Sequence, residues 1–164
     1  MSQNKVPSAA ERSAARLAVV QALYQMDVAG IGLTAAFAEY ETYWIGQEVE
    51  GIAFQPADRE FFRDVLAGVV HGQKTIDPMI NSSLTPSWPL TRVVPVLRSI
   101  LRAGTYELME RKDIPARVVI SEYLDVTRSF YDEDEPGLVN AVLDTIARSV
   151  REGELDKKKK ADAD

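Results

Sequence analysis

An all-α helical bundle is the fold class that this sequence predicts, and three observations predict it. Apolar residues recur at three- and four-residue spacings along almost every segment. Gly and Pro punctuate the intervals between those segments. No stretch carries the strict alternation or turn chemistry of a strand or hairpin. Roughly six or seven helices with short connections imply a compact bundle, two helical sub-bundles sharing a core. The 164 residues, 46% of them hydrophobic, are enough for one good core and suggest a single domain. That domain spans residues 8–152, between a flexible arm of residues 1–7 and a charged tail, residues 153–164, too poor in apolar side chains to fold.

The elements follow in order. Ser8-Ala9-Ala10-Glu11 has the S-x-x-E form of a capping box, in which the Ser oxygen accepts from a free backbone N–H. A first helix starts there, with Ala14, Leu17, Ala18, Leu23, Tyr24 and Val28 on one stripe until Gly30 and Gly32 end it. Thr34 is placed to cap a second helix bearing Phe37, Tyr40 and Trp44, and the mixed stretch from Gly46 to Gln55 reads as a loop. Pro56 suits the first turn of a third helix, whose Phe61, Phe62, Val65, Leu66 and Val69 form an apolar face. A separate short helix is expected from Thr75 to Asn81. After Thr85-Pro86-Ser87-Trp88-Pro89, a long helix runs to about Arg111 through Val94, Leu97, Leu101 and Leu108, with Pro95 in its first turn where the missing N–H costs little. Asp113-Ile114-Pro115 opens the next helix, and the acidic turn Asp132-Glu133-Asp134-Glu135 leads through Pro136 into the last, with Leu138, Val139, Val142, Leu143 and Ile146 facing inward.

Composition excludes several function classes. No apolar run approaches the roughly 18 residues of a membrane span. The polar opening Met1-Ser2-Gln3-Asn4-Lys5 lacks the apolar stretch of a signal peptide, so a cytoplasmic location is expected. The chain has no cysteine, which removes disulfides, thiolate nucleophiles and sulfur-ligated zinc. His71, the lone histidine, sits beside Gly72 at an expected helix end, where a dipole contact or plain exposure fits better than catalysis. Arg102, Glu107, Glu122, Asn140 and Asp144 lie inside amphipathic helices, a setting for ion pairs that fix helix register rather than for acid–base chemistry. No glycine-rich phosphate loop or metal-ligand spacing occurs, so neither enzyme nor cofactor is expected. The net charge of −6 puts the weight of any nucleic-acid reading on where the cations sit.

Four ordered blocks resemble one family. Ala15-Arg16-Leu17-Ala18-Val19-Val20-Gln21-Ala22-Leu23-Tyr24 is similar to the opening helix of the NusB family, an arginine-rich box followed by A-x-Q-A-L-Y. Ile100-Leu101-Arg102-Ala103-Gly104-Thr105-Tyr106-Glu107-Leu108 resembles the family's I-L-R-x-A-x-Y-E-L, with Asp113-Ile114-Pro115 matching its D-[VI]-P. Val119-Ile120-Ser121-Glu122 resembles V-A-I-N-E, and Val139-Asn140-Ala141-Val142-Leu143-Asp144 resembles V-N-G-V-L-D. Ser121 and Ala141 are local departures. A larger one is the arginine box, where only Arg12 and Arg16 match, with Ser13 and Ala14 between them.

The resemblance implies a transcription antitermination factor that pairs with NusE, a small-subunit ribosomal protein, and with it recognises the single-stranded boxA element of ribosomal RNA leader transcripts. That assembly helps RNA polymerase pass termination signals. Arg12 and Arg16, four apart, share a helix face and can offer two guanidinium groups to phosphates or unstacked bases; the alternative is a solvated helix face. Lys5 can reach a phosphate from the arm, and Gln21 can donate to a base edge or serve as an ordinary amide. Tyr24 falls where the family contacts its partner, with core packing as the alternative because it also lies on the apolar stripe. Lys157-Lys158-Lys159-Lys160 is assigned no specific site. Two rivals are a family-fold protein that has kept its protein partner and little RNA affinity, and the truncated N-terminal domain of a ribosomal RNA cytosine methyltransferase.

Overall fold

The computed structural model describes residues 6–43, 48–49, 52–53 and 57–155. Lys5, Trp44 and Pro56 lie outside the described residues. Six helices carry the architecture: α1 (Ala9–Ala29), α2 (Leu33–Tyr43), α3 (Arg59–Ser83), α4 (Pro95–Glu110), α5 (Ala116–Phe130) and α6 (Glu135–Val150). Between α2 and α3, where a loop was expected, two short antiparallel strands, β1 (Glu48–Val49) and β2 (Ile52–Ala53), pair in the register Glu48↔Ala53 and Val49↔Ile52. β-branched Val49 and Ile52 flank Gly51 in the sequence, a hairpin signal too short to register as periodicity.

Helix starts follow local chemistry closely. Ser8 accepts from the Glu11 N–H at 3.1 Å and donates to its carboxylate at 3.3 Å, and Gly30, at φ 71°, closes α1 with its N–H on the Met26 carbonyl. Pro95 and Pro136 occupy the first turns of α4 and α6. The second helix starts one residue before Thr34, with the Gly32 carbonyl accepting from Ala36 N–H at 3.0 Å.

α3 departs from expectation at both ends. It begins after Asp58, whose side chain accepts from the Phe61 N–H at 3.1 Å, and it runs unbroken through Thr75–Asn81 to Ser83 with Pro78 inside it. Pro78 is exposed, so water can satisfy the backbone carbonyl that loses its donor, while Ile76 and Ile80 on either side are buried and hold the helix against the core. His71 therefore lies within α3 rather than at its end, and of the two expected alternatives plain exposure holds.

α4 is the axis of the core, packed on α1, α3, α5 and α6. Its Leu97, Ile100, Leu101, Ala103 and Leu108 are buried, and with them the polar Ser99, Thr105 and Glu107. Gly68 lets the Tyr106 ring of α4 lie directly on α3: a Cβ there would stand 2.1 Å from Tyr106 Cε2. The Tyr106 hydroxyl donates to Asp64 at 2.8 Å, fixing the crossing of the two helices.

Packed structure continues past residue 152, the expected end of the domain. Arg151 is buried, Glu154 accepts from the Ala116 N–H at 3.1 Å, and Leu155 packs against the core. Residues 156–164, including the lysine run, lie outside the described residues.

Candidate nucleic-acid and partner interfaces

The N-terminal half of α1 separates the two arginines that were expected to share a solvent face. Arg16 is 2% exposed and forks onto Glu107, Nε to Oε2 at 2.9 Å and Nη2 to Oε1 at 3.0 Å, with Nη1 3.4 Å from Glu122. Burial works against the Arg16 charge, but the hydrogen bond and charge of Glu107 outweigh it and the guanidinium is held more basic than usual. The Tyr123 hydroxyl donates to the same Glu107 carboxylate, and burial followed by that negative charge keeps the phenol protonated well above its ordinary range. Ser13 donates to both oxygens of Glu122 at 3.0 and 2.9 Å. Ser13, Arg16, Glu107, Glu122 and Tyr123 thus tie α1, α4 and α5 into one network. Glu107 and Glu122 hold helix register, as their setting in the sequence suggested.

Arg12 stays at the surface. Its side chain is 32% exposed, its Nε is buried 3.5 Å from Asp58 Oδ2 without hydrogen-bond geometry, and its guanidinium lies 4.9 Å over the Phe61 ring. Arg16 and Arg111 approach the same ring at 4.9 and 5.1 Å, so one buried phenylalanine collects three guanidinium groups. Carboxylates surround them: Asp58 at Arg12, Glu107 and Glu122 at Arg16, Asp64 and Asp113 at Arg111. The Arg111 hydrogen bond holds the Asp113 carboxyl below its usual range, so this group stays anionic at neutral pH. A cavity of about 320 Å³ opens between Ser8, Ala9 and Arg12 of the α1 end, Asp113 and Pro115 of the α4–α5 turn, and Val118 of α5. The region resembling an arginine box is locally no more basic than acidic.

Gln21 and Tyr24 belong to a different site. From Arg12 to Gln21 the helix rises about 13 Å, and Gln21 faces a groove of about 430 Å³ with Val20, Tyr24, Tyr40, Val96 and Phe130. Tyr24 is 38% exposed and Phe130 42% exposed, so neither is core. Val28, one turn beyond Tyr24, is exposed as well. Burial and the neighbouring Glu39 push the Tyr40 phenol up to about 12, leaving a neutral wall. Val96 and Phe130 were not singled out in the sequence. The available signal was an aromatic residue at the very end of α5, directly before the acidic turn, where helix stripes normally give way to polar residues.

Elsewhere the charged residues named in the sequence make lateral pairs: Arg102 forks onto Asp77 at 2.8 and 2.9 Å, and Arg148 reaches Asp144 at 2.9 Å one turn away. Asn140 is exposed. Among the described residues, no group of three or more His, Cys, Asp or Glu side chains could hold a metal ion, and no helix is long and apolar enough to cross a membrane.

Comparison with known proteins places this geometry. Curated relatives called transcription antitermination protein NusB are 60% identical over 144 residues in Rhodopseudomonas palustris, covering 88% of this chain and 83% of the relative. The Nitrobacter hamburgensis relative is 56% identical over 153 residues, covering 93% and 96%. Among solved structures, T. maritima NusB is 32% identical with a TM-score of 0.70, covering 88% of this chain and 92% of that one. The fold also matches a chain in a crystal structure of antitermination factors NusB and NusE in complex with dsRNA, at 24% identity and a TM-score of 0.71, covering 87% and 99%. The NusB family model matches residues 13–148, from within α1, just after Arg12, to within α6, and the chain belongs to the NusB family.

Proposed function

We propose that this protein is a cytoplasmic transcription antitermination factor that docks a NusE-type ribosomal protein in the Tyr24 groove and, with it, holds single-stranded boxA RNA of ribosomal RNA leader transcripts. The observation that carries the reading is the half-exposed pair Tyr24 and Phe130 on an apolar groove in a chain whose relatives are named for antitermination. Rigid aromatic side chains with one wet edge are typical interface anchors. The reading is of a binding module without catalysis. The methyltransferase rival loses its support, because the relatives are antitermination proteins whose own length this chain nearly spans.

Within this proposal Arg12 and Lys5 meet phosphate, Gln21 joins Tyr24 at the partner groove, and Arg16 acts indirectly by anchoring the helix that presents Arg12. NusE supplies basic surface that this acidic chain lacks, and RNA bridges the two proteins. Mixing the purified protein with NusE and labelled boxA RNA, separately and together, tests it. RNA should bind much more tightly in the ternary mixture than to this chain alone. RNA that gains nothing from the mixture would favour the second reading, a protein-interaction module with little RNA affinity, for which the carboxylates around Arg12, Arg16 and Arg111 argue.

Two substitutions separate the sites. Tyr24→Asp should weaken NusE binding by at least about 2 kcal/mol while the helical circular dichroism stays intact, since the side chain is not core. Unfolding of that variant would show that Tyr24 packs into the protein after all. Arg12→Ala should leave NusE binding unchanged and lower the salt slope of ternary RNA binding by roughly 0.7. An unchanged slope would remove Arg12 from the RNA path.

A further inference from the structure

The Tyr24 groove has aromatic and apolar walls and no cation of its own. Val20 and Val96 line it beside Tyr24, Tyr40 and Phe130, and no Lys or Arg among the described residues does. Arg98, two residues beyond Val96, and Arg128, two before Phe130, are each held by an aspartate. Arg98 donates to Asp27 from Nε and Nη2 at 3.1 and 2.8 Å, and Arg128 pairs with Asp125 at 3.3 Å.

Carboxylates stand at both lips of the groove. On the α2 side, the amide of the lining residue Gln25, oriented to donate, reaches both Glu39 oxygens at 3.2 Å, and Glu39 also acts on the Tyr40 phenol. On the α5–α6 side, Tyr131 follows Phe130; its phenol is pushed up by burial, then by Glu135 and Tyr24, so that carboxylate and the groove's Tyr24 lie near one ring. Asp132, Glu133 and Asp134, between Tyr131 and Glu135, are exposed, and none pairs with a cation among the described residues.

Ring faces are negative, and apolar walls keep out the water and salt that would screen the carboxylates above them. A purely apolar side chain would fill the walls and leave those carboxylates unanswered, while a carboxylate or phosphate would be repelled. A side chain with an apolar stem and a cationic head satisfies both. The guanidinium is the better head, because it is planar, stacks on aromatic faces and is more weakly hydrated than an ammonium. We infer that the occupant of this groove of about 430 Å³ is a basic side chain of the docked partner, arginine in preference to lysine, with its stem against Val20 and Val96 and its head stacked on Tyr24 and Phe130 between Glu39 and Glu135. This refines the partner docking proposed above and rests on it.

The test is a double-mutant cycle with the full chain and NusE, in which each surface Arg or Lys of NusE is changed in turn to Met, which keeps the stem and removes the charge. One arginine variant should bind about tenfold less tightly, and most of that loss should vanish when the groove carries Phe130→Leu, which keeps apolar bulk and removes the ring face. Phe130→Leu alone should weaken NusE binding about fivefold, whereas Tyr24→Phe, which keeps its ring, should change it little. The pair Glu39→Gln with Glu135→Gln should weaken it about fivefold and make it less sensitive to salt. All four side chains are exposed or half-buried, so helical circular dichroism should match that of the unmodified chain. Coupling of Phe130 to a lysine would overturn the preference for arginine and uphold the basic side chain. Coupling to no Arg or Lys, or a glutamine pair that leaves NusE affinity unchanged and tightens RNA in the ternary mixture instead, would overturn the cationic occupant while a weakened Tyr24→Asp still upholds docking. No NusE binding by the unmodified chain would overturn the occupant together with the docking reading.

Discussion

Arg16→Ala is expected to cost stability, about 3–5 kcal/mol, rather than to weaken RNA binding selectively. The cost arises because Glu107, 0% exposed, is left as a buried carboxylate with the Tyr123 hydroxyl as its remaining side-chain donor among the described residues. A whole domain is held by roughly 5–15 kcal/mol, so the variant should melt far below the unmodified protein and unfold at much lower urea. Arg16→Lys keeps the charge but not the planar fork, and should fall between the two. Replacing both partners, Arg16→Met with Glu107→Leu, should recover much of the loss, since the desolvated carboxylate is then gone. At a temperature where Arg16→Ala remains folded, its RNA salt slope should match that of the unmodified protein. Normal urea stability with a reduced slope would show that this guanidinium leaves Glu107 for phosphate.

That contrast marks where the sequence was legible. Features settled within a few residues were readable: the Ser8–Glu11 cap, the first-turn Pro95 and Pro136, and the apolar stripes of α4, α5 and α6. Periodicity also put Arg12 and Arg16 on one side of α1. It could not say that this side meets α4 at Arg16 and solvent at Arg12, because Glu107 is 91 residues away in the chain. Pro78 and Gly72 are locally breakers, and only the burial of Ile76 and Ile80 across the core keeps α3 whole. Tyr24 lay on the apolar stripe and still proved half-exposed, at the open groove that it lines with Tyr40, Val96 and Phe130. The family motifs suggested both candidate sites, but burial decided which of their residues are exposed.

The second large effect lies at the end of α6, two residues before the segment that reads as polar tail. Arg151→Ala should destabilise the protein by about 3–5 kcal/mol, comparable to breaking the Arg16 pair, because one side chain serves the whole end of α4. The last carbonyls of a helix have no intrahelical donors. Here Arg151 supplies them, with Nε on Leu108 O at 2.7 Å, Nη2 on Arg111 O at 2.8 Å and Glu107 O at 3.2 Å, and Nη1 on Ile114 O at 2.9 Å. A cation at a helix C-terminus also answers the negative end of the helix dipole. Alanine would remove the Arg151 donors from the Leu108 and Ile114 carbonyls, leave the Glu107 and Arg111 carbonyls with the backbone N–H groups of Arg111 and Ile114, and release the Glu154 carboxylate that caps α5. Arg151→Lys can reach one or two of the carbonyls and should retain part of the stability. Hydrogen exchange locates the damage: protection should fall first in the α4–α5 turn and the start of α5, well before the α1–α3 packing is lost. Global unfolding with uniform loss of protection would show instead that this turn is not a separate unit but part of the common core.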